Sequence, residues 1–183
     1  MDKTQPAVFE RAMEQVRRTQ VRAEIELTEA PAPQRLAPHA AALTAEVLIG
    51  EDEAAGGRLV LLFDPEGQDA WEGQWRVVIF ARATLEPEMA SDPVLCDVGW
   101  SWLEEAIATH EVTVAAYGGT VTRTQSQPYG AMSGREESGE LEVRASWTPT
   151  DGQIDDHVRV WLQLLETMAG LEPAVAGVTA LPR

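Results

Sequence analysis

Residues 58–85 read RLVLLFDPEGQDAWEGQWRVVIFARATL and contain the strongest strand signals in the chain. After its first residue, the run at 58–63 is unbroken apolar, which predicts a central strand covered on both faces. The residues DPEG at 64–67 have turn chemistry. From Trp75 to Leu85 every second residue is apolar, with Arg76 and Arg82 among the residues of the other face, which predicts a long strand. Successive strands joined by short polar connections are typical of an antiparallel sheet.

The same periodicities divide the rest of the chain into strands and helices. Alternation predicts strands at 21–27, 43–49, 112–124 and 140–148, with a proline-rich connector at 31–38 and an acidic loop at 50–57. Apolar residues at helical spacing predict three helices. The first covers about residues 6–19, the second ends near residue 110, and the third follows a capping box formed by Thr150 and Gln153.

The predicted order is therefore helix, strands, helix, two strands, helix. It favours an α+β domain over residues 1–170, with a mainly antiparallel sheet of about six strands and the helices packed on one face. Residues 171–183 show no hydrophobic periodicity, which predicts a flexible C-terminal tail.

Composition excludes several classes of protein. The chain has 14 Lys and Arg against 30 Asp and Glu, a formal charge of −16, which opposes attraction to nucleic acid or anionic lipid. No apolar run approaches the length of about 20 residues that spans a bilayer. The amino terminus has no secretory pattern, and Cys96 stands alone, as expected in a reducing compartment. These features favour a cytoplasmic protein that binds neither nucleic acid nor membrane.

No motif in the chain predicts catalysis, a cofactor or a metal. The histidines at 39, 110 and 157 fall in three separate elements without the spacing that places two ligands on one helix face. The segment Gly99-Trp100-Ser101-Trp102-Leu103 resembles a nucleophile elbow, but Leu103 replaces the glycine that this turn requires. We therefore expect no catalytic residue, no cofactor and no metal site.

Tryptophan use is the best pointer to a binding surface, with six Trp against three Phe and two Tyr. Trp71 lies in a polar loop, and Trp102 is out of phase with the apolar stripe of its helix. The sequence therefore shows no neighbour that would bury either indole ring. The loop at 125–139 is long for a hairpin and carries Tyr129. With Arg35 of the proline-rich connector, these residues form the predicted binding set. Three other tryptophans follow the apolar stripes of their elements and predict core packing: Trp75, Trp147 and Trp161.

Two functions remain open on these residues. The first is a non-enzymatic cytoplasmic binding or adaptor protein, with a chaperone-like role among the options, whose partner is a protein or a second copy. The alternative is an enzyme or small-ligand sensor with a site between sheet and helices, drawing on His39, His110 or carboxylates. A deep, partly apolar pocket with convergent polar groups favours the alternative.

Several segments also resemble one known family, and they occur in its order across roughly residues 8–165. The chain is similar there to an actinobacterial family of unknown function, domain-of-unknown-function family three thousand. The resemblance implies a cytoplasmic protein of GC-rich actinobacteria and brings no catalytic residues. It is carried by the segments PAPQRLAP (31–38), DPEGQDAW (64–71), LEPEMA (85–90), GWSW (99–102) and ASWTP (145–149).

Overall fold

The computed structural model describes residues 4–173, which form one sheet and a set of helices. The strands are β1 (Ile25–Ala30), β2 (His39–Ile49), β3 (Asp52–Gln68), β4 (Gly73–Leu85), β5 (Val114–Ser126) and β6 (Ser138–Pro149). The helices are α1 (Thr4–Arg17), α2 (Pro87–Ser91), α3 (Leu95–Thr109) and α4 (Ile154–Met168), with single 3-10 turns at Asp69–Trp71 and Gly130–Met132.

The six strands form one antiparallel sheet in the order β1-β2-β3-β4-β6-β5. The first four strands are neighbours in chain order, as in a meander. The sixth strand lies between β4 and β5, so β1 and β5 are the two edges. This arrangement confirms the predicted α+β fold and its order of elements.

The helices cover one face of the sheet, which we call the inner face. Alternate strand residues point to it, and one row across the sheet contains Leu59, Ile79 and Ala145, all buried. Helix α4 packs on β2, β3 and β4, α3 packs on β5 and β6, and α1 lies against α4. In α4, nine of 15 residues are buried, and each large apolar side chain removed from water contributes about 1.5–3 kcal/mol.

Gly99 lies inside α3 and faces the sheet. A Cβ at this position would lie 3.2 Å from the side chain of Leu141 on β6 and 3.3 Å from that of Val121 on β5. Glycine therefore lets the helix approach the two strands closely. The segment that resembles a nucleophile elbow is in fact helical packing surface.

Three local predictions were wrong. The acidic segment 50–57 is not a loop, because only Gly50 and Glu51 separate β2 from β3. The predicted strand at 21–27 begins only at Ile25, so its first residues lie in the connection after α1. The run at 58–63 is central in the sheet, but the described helices cover only one of its faces; on the other face Leu62 is buried and Val60 is part exposed, so cover on both faces is incomplete.

The start of α4 also differs from the predicted capping box. The Thr150 hydroxyl donates to the Thr113 hydroxyl, while the Asp151 carboxylate accepts from the backbone N–H of Gln153 at 3.0 Å. Asp151 therefore satisfies a donor at this end of the helix. Of the predicted tail, residues 171–173 follow the end of α4, and residues 174–183 lie outside the described part.

Candidate functional site

The face of the sheet opposite the helices carries an apolar patch with arginines around it. Val78 is 39% exposed at its centre, and Val60 and Phe80 beside it are part exposed. None of these three belongs to the hydrophobic core cluster. We call this surface the outer patch and define it by Arg58, Val60, Arg76, Val78, Phe80 and Arg144.

The register of β3, β4 and β6 brings these side chains together. Arg58, Phe80 and Arg144 are direct neighbours across the three strands, so they form one row. Val60 and Val78 form the next row with Ser146. Because facing side chains in antiparallel strands lie about 4.5–5.5 Å apart at Cβ, each row is a continuous surface.

Arg144 lies over the ring of Phe80, with its guanidinium carbon 5.0 Å from the ring centre. Its Nη2 is also 3.1 Å from a carboxylate oxygen of Glu142. Its Nε donates to the same oxygen at 3.3 Å, so one edge of the guanidinium is held by Glu142 and only the Nη1 side remains to donate to a partner.

Arg76 lies beside Val78 on the other side of the patch. Its guanidinium donates to the carbonyl of Ala116 at 2.9 Å, to the hydroxyl of Ser146 at 2.7 Å and to the hydroxyl of Thr148 at 3.3 Å. Burial lowers the pKa of Arg76, although the charge of Glu72 acts against this. Since these three acceptors are neutral, the hydrogen bonds orient the cation without neutralising its charge.

A shallow groove of about 200 Å³ lies on this face beside Arg144. Its floor includes Val78, the hydroxyl-bearing Ser146, and Gly118 on the edge strand. Arginine beside exposed apolar surface is the composition that interface centres favour. In a chain of charge −16, this surface is suited to a partner that brings carboxylates.

The two tryptophans of the predicted binding set are both part buried. Trp71 ends a 3-10 turn after β3, and its carbonyl accepts a hydrogen bond from the Thr148 hydroxyl. Trp102 packs against the core from α3, so its own chain covers much of the ring that was out of phase with its helix. A binding role for either ring stays a prediction.

The other two members of that set are exposed but far apart. Arg35 lies in the β1–β2 connection with φ +67°, at the end of the sheet where β3 turns into β4. Tyr129 is 73% exposed in the β5–β6 connection, at the opposite end. The four predicted residues therefore do not form one surface, and none belongs to the outer patch. The sequence signal that could have indicated the outer patch was Arg76, a charged residue on the outward face of a predicted strand.

A buried hydrogen-bond network joins β6 to α4. The indole Nε1 of Trp147 donates to Nδ1 of His157 at 2.9 Å, and Nε2 of His157 lies 3.0 Å from a carboxylate oxygen of Asp151. Because Nδ1 accepts, the proton of the neutral ring is on Nε2 and is donated to Asp151. His157 and Trp147 are fully buried. The pair of His157 and Asp151 thus holds the indole of Trp147 in place.

A cavity lies on the helical side of the molecule. It measures about 460 Å³ between α3, α4 and the connection after α1, and His110 and Arg159 contribute to its wall. The Arg22 guanidinium in this wall is 3.6 Å from the carboxylate of Glu166. Burial raises the pKa of Glu166, and Arg22 acts against that rise. Burial also lowers the pKa of His110, while Asp156 opposes it.

His39, the other histidine of the alternative hypothesis, is in a different place. Its ring stacks on Phe9 of α1 with centroids 5.5 Å apart, and Phe63 lies 5.9 Å away. An aromatic cluster of this kind is core packing. The fold therefore does not bring His39 to the cleft that His110 lines.

Two further properties concern residues 4–173. In that range no three His, Cys, Asp or Glu side chains are grouped as metal ligands usually are. The helices described there all fall short of the length and apolar character needed to cross a membrane.

Comparison with known proteins identifies a family and nothing beyond it. The model of the family described as "Protein of unknown function (DUF3000)" matches residues 5–179, nearly the whole chain. The chain belongs to this family. Neither the curated proteins nor the solved structures gave a match.

Proposed function

We propose that this chain is a non-enzymatic binding protein that docks a protein partner on its outer patch. The observation that carries the proposal is the arrangement of Val78 and Phe80 between Arg76 and Arg144, on the sheet face that the described helices leave open. The apolar side chains at the centre provide surface whose burial against a partner is favourable, and the arginines select a partner with carboxylates.

The geometry fits the way in which protein interfaces concentrate their energy. Arginine and aromatic residues dominate binding when they are surrounded by groups that exclude water. Here Phe80 is stacked under Arg144, and Arg76 is held by three neutral acceptors, so each is oriented before the partner arrives. An oriented side chain loses less conformational entropy on binding.

The place of action that we propose is the cytoplasm. The chain has a single cysteine, Cys96, and disulfides are rare in that compartment. The strong negative charge keeps such a protein soluble and away from phosphate backbones. An adaptor or chaperone-like role in an actinobacterial cell agrees with these features.

The outer patch is tested by capture of partners from an extract of the producing organism. Val78→Glu and Phe80→Ala are each expected to reduce recovery of the wild-type partners by about tenfold or more, since loss of a central anchor costs about 2 kcal/mol or more. Recovery is measured by quantitative mass spectrometry on matched amounts of folded protein.

The matched control is Val94→Glu, because Val94 is 52% exposed and lies before α3, away from the outer patch. This variant is expected to recover the wild-type set of partners. Equal recovery by Val78→Glu, Phe80→Ala and wild type would contradict the proposal.

A second candidate function is sensing of a small polar ligand in the helical cleft. The observation that favours it is the volume of about 460 Å³, within the range of ligand sites, with Arg22, Glu166 and His110 converging on it. The ligand chemistry that suits such a wall is a small molecule with both acidic and hydrogen-bonding groups.

This candidate predicts a rise in thermal stability with some member of a panel of small carboxylic acids, nucleotides and divalent metals. A ligand at 100 times its dissociation constant adds about 2.7 kcal/mol, which a thermal-shift assay detects. Arg22→Gln is expected to abolish the shift, whereas Arg58→Gln on the outer patch retains it. A shift that survives Arg22→Gln, or no shift across the panel, would remove this candidate.

A further inference from the structure

The two edges of the sheet are protected to very different degrees. The edge strand β1 is six residues long and carries Glu26 and Glu29, and a short charged strand is a poor template for another chain. The edge strand β5 is 13 residues long, and its exposed part carries one charge, Arg123. The guanidinium of Arg123 is engaged with the carbonyl of Ala90 in its own chain.

The exposed part of β5 is also regular and rich in strand-forming residues. A bulge separates Ala115 from Gly118, and from Gly118 to Ser126 each residue pairs with β6 in unbroken register. The segment 120–124 reads TVTRT, and β-branched residues favour extended backbone. The other side of this segment presents unpaired N–H and C=O groups, because an edge strand has a neighbour on one side only.

Charge distinguishes this edge from the rest of the molecule. The chain has 30 acidic residues in 183, yet residues 112–135 contain none. Two copies of a protein with charge −16 repel each other wherever acidic surface meets acidic surface. A second copy that approaches along β5 therefore meets no carboxylate on the edge strand itself.

We propose that β5 pairs with β5 of a second copy, antiparallel and about a two-fold axis, and joins the two sheets into one. A two-fold contact of this kind sets the same segment against itself, so a strip without carboxylates meets a strip without carboxylates. This inference goes beyond the proposed function, because it uses the backbone edge of β5, whereas Val78 and Phe80 at the centre of the outer patch lie on β4, two strands in from that edge.

The connection after β5 also favours a second copy of the chain as the partner of this edge. Tyr129 is 73% exposed and Met132 is 49% exposed, which is unusual for side chains of this size. In an antiparallel pair the end of one β5 lies beside the start of the other, so the connection of each copy reaches the partner's bulge. The pairing thereby covers apolar surface in addition to completing backbone hydrogen bonds.

The test uses charges of opposite sign on the edge. Thr120 and Thr122 are exposed and point to the outer face. Pairing about an axis near the middle of Gly118–Ser126 places Thr122 opposite its own copy, with Thr120 of each chain diagonal to Thr122 of the other. Sedimentation velocity over a wide range of protein concentration is expected to show a dimer for wild type. Thr120→Asp with Thr122→Asp, and separately Thr120→Lys with Thr122→Lys, are each expected to weaken it by about tenfold or more through like-charge repulsion.

An equimolar mixture of the acidic and the basic double variant is expected to restore the dimer, which a merely misfolded edge could not do. Val78→Glu is expected to dimerise as wild type does. Loss of dimerisation and loss of partner binding at the outer patch are therefore distinguishable results. A wild type that stays monomeric at the highest concentration overturns the inference. So does a dimer that both double variants retain, or a mixture that stays monomeric.

Discussion

Replacing Trp147 with alanine is expected to lower the free energy of unfolding by about 4 kcal/mol. Trp147 is fully buried on β6 beneath α4, and its indole N–H donates to His157. Truncation leaves a void that the surrounding strands cannot close, and it leaves Nδ1 of His157 buried without its donor. Both costs act together, because a single side chain provides the packing and the hydrogen bond.

The size of this effect matters because domains of this kind are stable by only about 5–15 kcal/mol. Urea unfolding followed by circular dichroism gives the difference directly. Trp147→Phe keeps most of the ring volume and loses the donor, so it is expected to cost about 1–3 kcal/mol. The difference between the two variants separates the packing contribution from the hydrogen bond.

The matched control is Trp102→Ala, since Trp102 is the same residue type, part buried against the core from α3. Its truncation is expected to cost clearly less than that of Trp147. If the two alanine variants are equally stable, or if Trp147→Ala costs less than Trp147→Phe, the account of a buried indole anchor is wrong.

Acidification below pH 6.5 is expected to destabilise the fold through His157. Burial lowers the pKa of His157 below its ordinary 6.5, although Asp151 acts in the opposite direction. Protonation would also place an N–H on Nδ1, directly opposite the N–H of Trp147. The unfolded chain therefore takes up a proton at a higher pH than the folded chain does.

The sign of the linkage follows from this difference in proton uptake. The stabilising contribution of His157 is complete above pH 6.5 and is lost progressively as the pH falls from 6.5 towards the lower pKa of the folded state. Asp151 adds to the loss at lower pH. Its burial favours a higher pKa, but hydrogen bonds from Thr113, Gln153 and His157 outweigh burial and lower the pKa below 3.8.

The measurement is the free energy of unfolding between pH 7 and pH 5 at constant salt. His157→Asn keeps an acceptor for the indole and cannot titrate, so its stability is expected to fall less steeply than that of wild type. His110→Asn is the control, because His110 is part exposed and its contribution to the slope is smaller. A slope unchanged by His157→Asn would show that other groups set the acid response.

The sequence predicted most of the fold because period and composition determine it locally. The strand at 75–85 has an apolar residue at every second position, and one side of α4 is strongly apolar, so β4 and α4 were predicted near their true positions. The acidic start of β3 was missed, because Glu and Asp are poor strand formers and only pairing with β2 holds them extended.

The outer patch could not be predicted because it depends on register. Arg58 and Arg144 are 86 positions apart in sequence, and only the insertion of β6 beside β4 places them in one row. The apolar run at 58–63 was misread for a related reason. An unbroken run indicates two faces that avoid water, but it does not say whether the second face is covered by the same chain or by another.

The order of the strands also affects how the chain acquires its structure during synthesis. Residues 25–85 form four strands that pair with their neighbours in sequence, so their contacts are local and can form early. Helix α4 is the last described element and supplies nine buried residues to the inner face of that sheet. Until α4 emerges from the ribosome, the apolar inner face of the meander stays open to solvent. Truncation before Ile154 would therefore release a chain prone to aggregation rather than a smaller folded protein.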